Sequence, residues 1–201
     1  MADTSQIDLS GGYVPVNLTK EKKQLAFGWY PTYIVDVKVM DRPVKGKYRA
    51  KIYNLILEVA NEVKDHKFTI EDIRGEKVEV MGDGYQGKTL RSIGIFYFLT
   101  PQIGDDFEAN PEGQVNYKRF CDALDINMPK AMIEVNGEQQ EVYKLTEISK
   151  EDLVGKPVMG FLGESKPWKG KDGKTRTNFE IKAFKSWDNA PQRSVLDEIP
   201  F

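Results

Sequence analysis

The 201-residue sequence is 40% hydrophobic and 30% charged, a composition that excludes a low-complexity chain and is typical of a globular protein. Its formal net charge of −2 excludes the global positive field that marks many nucleic-acid-binding proteins. The single cysteine excludes an intrachain disulfide, and the single histidine excludes most metal and acid–base sites that use imidazole.

The sequence contains no apolar run long enough to cross a bilayer, and its first ten residues have neither a basic start nor an apolar stretch. We therefore expect no membrane association and a cytoplasmic location. Residues 1–23 contain two adjacent glycines, a proline and a charged run, which predict a flexible N-terminal extension. The folded core is predicted over residues 24–187.

The core begins with segments that favour β structure. Alternating apolar residues predict a strand over residues 32–40, and a second strand over residues 48–60 follows a turn. On the first strand we expect one shared face for Tyr33, Val35, Val37 and Val39. Residues 55–63 also place apolar side chains on one helical face, so both strand and helix remain open for that segment.

The octet GDGYQGKT, residues 82–89, matches the glycine-rich loop with which nucleotide hydrolases hold phosphate. Such a loop needs a buried strand before it and a helix after it. Here residues 76–81 alternate polar and apolar, and residues 90–101 contain isoleucines and aromatics that favour a strand. Because Asp83 and Gly84 form a common tight-turn dipeptide, we predict a hairpin at this octet.

Residues 114–126 are the clearest predicted helix, bracketed by Pro111 and Pro129. The predicted apolar stripe of this helix consists of Tyr117, Phe120, Cys121 and Leu124. Its spacing predicts that one face of the helix packs on a core, with Cys121 as a small core residue rather than a reactive thiol.

Two further hairpins are predicted after the helix. Asn136 and Gly137 indicate a tight turn between strands at residues 132–135 and 141–145. Residues 157–163 and 175–184 surround a turn-rich stretch and are predicted to pair as the last hairpin. Several short strands with one good helix predict a mainly β fold, either a barrel or a sandwich with helical insertions.

Two short segments combine positive charge with aromatic rings, the combination that sequence-tolerant binding of single strands requires. The predicted last hairpin carries Lys166, Trp168, Lys169, Lys171, Lys174 and Arg176. The second segment carries Trp29, Lys45, Lys47, Arg49, Lys51 and Tyr53. We predict that the cations neutralise phosphates, that the two tryptophans and the tyrosine stack bases, and that Lys88 and Arg91 meet phosphate as further surface charges. A solvated turn and core aromatics are the alternatives.

The last hairpin also contains residues whose spacing matches a nuclease motif. Asp172, Glu180 and Lys182 are spaced like the carboxylates and lysine of a metal-dependent site. Asp172 lies in a predicted turn, and such triplets are common in charged strands, so we prefer the binding hypothesis. We expect no metal, no nucleotide cofactor and no enzymatic activity.

After Trp187 the composition changes, and residues 188–201 contain two prolines and little that could build a core, which predicts a flexible acidic tail. The tail ends in Asp197, Glu198, Ile199, Pro200 and Phe201. This tip resembles the acidic Ile-Pro-Phe peptide of bacterial single-stranded DNA-binding proteins. The start Gly28-Trp29-Tyr30-Pro31 and the pattern over residues 155–182 resemble phage-encoded relatives of that group.

The resemblance implies an OB-fold-like barrel, with long hairpins and one or two inserted helices, that holds single strands. It also implies a tail tip that recruits replication, recombination and repair proteins. The leading hypothesis is therefore a non-enzymatic single-stranded DNA-binding protein of a phage replication system, located in the host cytoplasm, with homo-oligomerisation left open. The alternatives are a replisome adaptor that does not hold DNA, a nucleotide hydrolase acting through residues 82–89, and a metal-dependent nuclease.

Overall fold

The structure is a computed structural model that describes residues 25–44, 48–71, 76–99, 111–135 and 137–191. Its strands are β1 (Gly28–Val44), β2 (Tyr48–Val59), β3 (Lys67–Glu71), β4 (Lys77–Met81), β5 (Thr89–Arg91), β6 (Ile95–Leu99), β7 (Lys130–Val135), β8 (Glu138–Tyr143), β9 (Pro157–Glu164), β10 (Trp168–Lys169), β11 (Thr175–Arg176) and β12 (Phe179–Lys185). Its helices are the 3₁₀ helix Asn61–Asp65 and α1 (Pro111–Ala123). The predicted mainly β fold with an inserted helix is confirmed.

Six strands form one sheet with antiparallel neighbours. Its order is β12–β9–β1–β2–β5, and β6 also pairs with β2. The two edges meet where Ser92 forms a parallel bridge with Ile181. Among the described residues this bridge takes the place of a continuous closing ladder, so the curled sheet is a partly open barrel rather than a closed one.

The core lies between the inner face of this sheet and α1. A β-bulge in β1 changes which side chains reach it, because Ile34 pairs with Leu57 whereas Asp36 pairs with Ile56, which leaves Val35 as the extra residue. Tyr30 and Ile34 face the core before the bulge, and Val37 faces it afterwards. The predicted shared face of Tyr33, Val35, Val37 and Val39 is therefore wrong.

The structure shows the conformation of residues 55–63, for which the sequence left both strand and helix open. β2 continues to Val59, and the 3₁₀ helix follows after Ala60. Four alternate residues of β2 enter the core, namely Tyr53, Leu55, Leu57 and Val59. Residues 55–63 are therefore mainly strand, and they end in one short helical turn.

The octet at residues 82–89 does not close a hairpin, contrary to prediction. β4 before it pairs with β3, whereas β5 after it pairs with β2, so the octet connects two separate sheets. Its Tyr85 is buried against Tyr30 and Phe68, which holds the loop in the core. The Gly87 amide donates to the Val59 carbonyl at 2.8 Å, so the loop also extends the β2 ladder. A strand follows the octet, where a phosphate-binding loop requires a helix.

The predicted helix is confirmed with shifted ends, since α1 begins at Pro111 and ends at Ala123. Proline suits the first turn of a helix because its missing N–H would have no intrahelical partner there. The whole predicted apolar stripe is buried. Within the described ranges, no helix has the length and apolarity that a membrane span requires.

The two late hairpins are also present. β7 pairs with β8 around Gly137, whose φ of 83° requires glycine-like freedom. β9 pairs with β12, but residues 175–184 do not form one strand, because β11 pairs with β10 before β12 begins. After β12, the Tyr33 hydroxyl donates to the Pro191 carbonyl at 3.0 Å. Residues 188–191 are thus held against the barrel, and the predicted tail from residue 192 onwards lies outside the described residues.

Candidate nucleic-acid interface

The basic segment of the last hairpin forms a small, ordered projection between β9 and β12, which we call the basic finger (residues 165–178). Trp168 pairs with Arg176 across its two-stranded ladder. The turn at its tip is fixed by the Gly170 amide, which donates to the Lys174 carbonyl at 2.9 Å, and by Gly173 at a φ of 76°. The finger therefore presents its side chains from a defined backbone.

The finger combines an exposed ring with unneutralised charge. Trp168 is 42% exposed, and the Arg176 guanidinium carbon lies 5.9 Å from its ring centre. Arg176 also forms an ion pair with Asp172 at 2.7 Å. Within the described part of the chain, no carboxylate pairs with the four exposed lysines of the finger, Lys166, Lys169, Lys171 and Lys174.

The second predicted basic segment has less available charge. Lys45 and Lys47 lie outside the described residues. Arg49 holds Asp41 through two hydrogen bonds of 2.9 and 2.8 Å, and this bonding raises the pKa of Arg49. Lys51 pairs with Glu147. Both described cations already have carboxylate partners, so each must give up a partner before it can bind phosphate.

The predicted stacking role of Tyr53 is wrong. Its side chain is fully buried (0% exposed), it lies 5.9 Å from the ring of Tyr117, and its hydroxyl donates to the Ile148 carbonyl at 3.1 Å. Desolvation by this burial raises the pKa of Tyr53. The alternation that places Arg49 and Lys51 at the rim continues inwards, so the next residue on that face enters the core.

The remaining predicted contacts are dispersed over the barrel. Trp29 is half-buried, lies edge-on to Phe161 at 5.3 Å, and has the Lys185 ammonium 4.5 Å from its ring centre. Lys88 is half-buried beside the ring of Tyr85, at 5.2 Å. Arg91 is exposed on β5. The structure does not gather these three residues into one site.

Arg49 of the second basic segment lies far along β1 from the finger. It pairs with Pro43 near the end of that 17-residue strand, whereas Leu162, shortly before the finger, pairs with Gly28 at its start. The finger is the loop between the last two barrel strands, β9 and β12, and residues 45–47 connect the first two, β1 and β2, in sequence. In OB-folds these two loops border the surface that binds oligonucleotides.

Two residues of the alternative nuclease site have partners elsewhere in the structure, and one of them is Lys182, whose ammonium donates to the Glu164 carbonyl at 2.6 Å. Asp172 is engaged by Arg176, and no group of three or more His, Cys, Asp or Glu residues suited to a metal occurs within the described ranges. Burial raises the pKa of the Cys121 thiol to about 12, so this cysteine stays protonated and inert near neutral pH.

Comparisons with protein-family models, curated proteins and solved structures gave no match.

Sequence reasoning missed an aromatic surface on the outside of the barrel. Phe96 pairs with Ile52, and Phe98 pairs with Ala50, on the face opposite the core residues Tyr53 and Ile95. We call this side of the sheet the outer aromatic face, which comprises Lys38, Met40, Arg42, Ala50, Ile52, Asn54, Phe96 and Phe98. Its Ala50, Ile52 and Phe98 are buried.

The two phenylalanines of the outer aromatic face stack with ring centres 5.8 Å apart and an interplanar angle of 16°. Phe96 is half-buried, whereas Phe98 is only 7% exposed, so Phe96 is the accessible ring. Lys38 and Arg42 supply exposed positive charge on the same face. The period-two alternation of Ile95–Leu99 could have revealed this surface, because it puts both phenylalanines on one side of the strand.

Proposed function

We propose that this chain is a non-enzymatic protein that binds single-stranded DNA. The observation that carries the proposal is the basic finger, which presents a 42% exposed indole among four lysines without carboxylate partners in the described residues. Lysines track the phosphate backbone, and an exposed ring stacks on any base, since every base has a π face. Together they favour sequence-tolerant binding.

The location of the finger supports the same function. It is the loop between the last two strands of a partly open barrel, and the outer aromatic face lies on β1, β2 and β6 of that barrel. OB-folds bind oligonucleotides on the face of their second and third strands and with the bordering loops. Phe96, Lys38 and Arg42 lie on the corresponding face, so a strand held by the finger has a further charged and aromatic surface to cross.

The low net charge is compatible with this function because the positive charge is local. The chain as a whole carries −2, but the finger concentrates four lysines and Trp168 within a short projection. Electrostatic attraction to phosphate falls off within about 8 Å at physiological ionic strength, so the local patch and not the total charge governs the contact. Binding through such a patch releases counterions and weakens as salt is added.

The tail extends the proposal to protein partners. Its tip, Asp197 to Phe201, lies outside the described residues, and its proposed role in recruiting replication, recombination and repair proteins rests on the sequence pattern. The hydrogen bond from Tyr33 to Pro191 holds the root of the tail at the start of β9, whereas the finger follows the end of β9. This arrangement keeps the root away from the finger, so that partner and DNA can bind together.

The direct test is a fluorescence anisotropy titration of the full chain into labelled oligo-dT at several salt concentrations. We expect saturable binding at low salt that weakens steeply as salt rises. A chain that leaves the anisotropy unchanged at the lowest salt does not bind single strands, and that result would refute the proposed function.

A further inference from the structure

A cavity of about 180 Å³ lies where β6, α1 and β12 meet. It exists because the barrel edges touch only near Ser92 and Ile181, after which β6 pairs with β2 while β12 pairs with β9. Helix α1 covers the resulting gap, and its Phe120 packs edge-on against Phe184 of β12 with ring centres 5.2 Å apart.

The walls of the cavity are aromatic and its rim is polar. Phe96, Phe120 and Phe184 contribute rings. Asn116 and Arg119 contribute an amide and a guanidinium from the exposed side of α1, where residues three apart are neighbours. Within the described part of the chain, neither Asn116 nor Arg119 makes a side-chain hydrogen bond or ion pair, so both are available to a ligand.

The size and chemistry of the cavity restrict its ligand. Its volume is below the range of about 300–1,000 Å³ that holds a drug-sized molecule, so it suits one planar ring system. Rings on the walls match the faces of a base, and an amide that both donates and accepts matches a base edge. Phe96 belongs both to the cavity and to the outer aromatic face, so its half-buried ring lies between the two.

We propose that this cavity receives one base of a bound single strand, that Asn116 hydrogen-bonds the edge of the base, and that Arg119 contacts the adjacent phosphate. This inference rests on the proposed single-strand binding and adds a base preference to it. Asparagine pairs in a bidentate manner with adenine, which offers an acceptor beside an amino donor. The preferred base is therefore adenine, within a binding mode that is otherwise sequence-tolerant.

The experiment compares labelled oligo-dA and oligo-dT of equal length, titrated with the full chain and its variants. Asn116→Ala should weaken binding of oligo-dA by about fivefold or more and leave oligo-dT within about twofold. Ala183→Phe, which fills the cavity from an exposed position of β12, should reproduce that selective loss. Arg119→Ala should weaken the binding of both oligonucleotides and make the log–log salt slope about 0.7 less steep. The matched control is Asn127→Ala, which truncates an exposed asparagine outside the cavity. It should leave the affinities for both oligonucleotides unchanged.

The outcomes separate this inference from the function on which it rests. If wild-type protein binds neither oligonucleotide at low salt, the proposed function fails, and the base pocket fails with it. If wild type binds but Asn116→Ala and Ala183→Phe bind both oligonucleotides as wild type does, the pocket is wrong and single-strand binding stands. An equal loss for oligo-dA and oligo-dT in Asn116→Ala would also overturn the base preference. Circular dichroism of each variant confirms that the fold is retained.

Discussion

The amide of Ile93 donates a hydrogen bond to the carbonyl of Ile181 at 2.9 Å and so joins the two edges of the sheet. The Ile181 side chain is fully buried, and it packs so closely on β9 that a Cβ added to Gly160 would lie 3.0 Å from its Cγ2 atom. The backbone of Ile181 thus joins the two edges of the sheet, and its side chain packs in the core.

Because the Ile181 side chain is fully buried, Ile181→Ala should lower the free energy of unfolding by about 2–5 kcal/mol, the range for truncating a buried isoleucine, while the backbone bond to Ile93 remains. Urea denaturation followed by circular dichroism measures the change. Val78→Ala is the matched control, since Val78 is a β-branched strand residue that is largely exposed, and it should cost no more than about 1 kcal/mol. Equal losses in the two variants would show that Ile181 is not a core residue of the barrel.

The features that the sequence predicts well are those set by local patterns. The stripe from Tyr117 to Leu124 follows the helical repeat, and the turn at Gly137 needs a conformation that glycine supplies, so neither depends on distant residues. The exposed lysines of the finger were also found, because a run of cations around an indole cannot be buried at reasonable cost.

The features that the sequence does not predict depend on contacts between distant segments. The bulge at Val35 is defined only by its pairing with β2, and the octet turn is drawn inwards because Tyr85 packs on Tyr30 and Phe68. Tyr53 lies on the same face of β2 as Arg49, but Tyr53 is buried in the core whereas Arg49 is exposed at the end of the strand. The proposed base cavity has the same origin, since β6, α1 and β12 are separate in sequence.

A second prediction concerns the lysines of the finger. Binding of oligo-dT should show a log–log salt slope of about −3 to −4, as expected for four to six phosphate contacts. Replacing Lys169, Lys171 and Lys174 together by alanine should make that slope about 2 less steep, because up to three contacts are lost. Anisotropy titrations at a series of salt concentrations measure it.

The control for the finger removes the same number of charges elsewhere. Lys64, Lys77 and Lys144 are exposed and lie outside the finger, so their joint replacement by alanine should leave the slope nearly unchanged. If the finger variant keeps the wild-type slope, its lysines do not contact the phosphates.

A third prediction separates stacking from charge at Trp168. Trp168→Ala should weaken oligo-dT binding by about 1–3 kcal/mol with little change in salt slope, because stacking releases few counterions. Trp168→Phe keeps an aromatic face and should recover most of the affinity. Quenching of intrinsic tryptophan fluorescence by oligo-dT should shrink in both variants. A phenylalanine variant as weak as the alanine variant would argue against stacking.

A fourth prediction follows from the buried tyrosines. Desolvation by burial raises the pKa of Tyr30, Tyr53 and Tyr117 above the ordinary value of 10.0. A raised pKa in the folded state means that their contribution to stability is complete below pH 10.0 and is lost as the pH rises further. These rings should therefore ionise together with unfolding at alkaline pH.

Paired pH titrations check the tyrosines, with tyrosinate absorbance as one signal and circular dichroism as the other. The last part of the absorbance rise should coincide with the loss of circular dichroism. Full ionisation of all nine tyrosines in a protein that keeps its circular dichroism signal for β structure would contradict the burial of these rings.

The final prediction concerns the tail tip. Pro200 fixes its own φ and disfavours helix at Ile199, so the tip is suited to bind in an extended form. The Phe201 ring can fill an apolar pocket while Asp197 and Glu198 are captured by basic side chains or backbone amides of a partner. Deleting residues 197–201 keeps Pro191 and its hydrogen bond with Tyr33, so the melting temperature should not change. The affinity for oligo-dT should stay equal or rise slightly, because tethered acids compete weakly with DNA for the finger.

The same deletion should abolish capture of replication, recombination and repair proteins from a cell lysate, whereas oligo-dT binding serves as the internal control for a folded protein. Phe201→Ala should cause most of that loss, since it removes the ring and leaves every side-chain charge in place. Ile199→Val is the matched conservative variant and should retain the partners, because it removes one methylene, worth about 0.8 kcal/mol when buried. A truncated chain that captures the same partners as the full chain would show that the tip plays no part in recruitment.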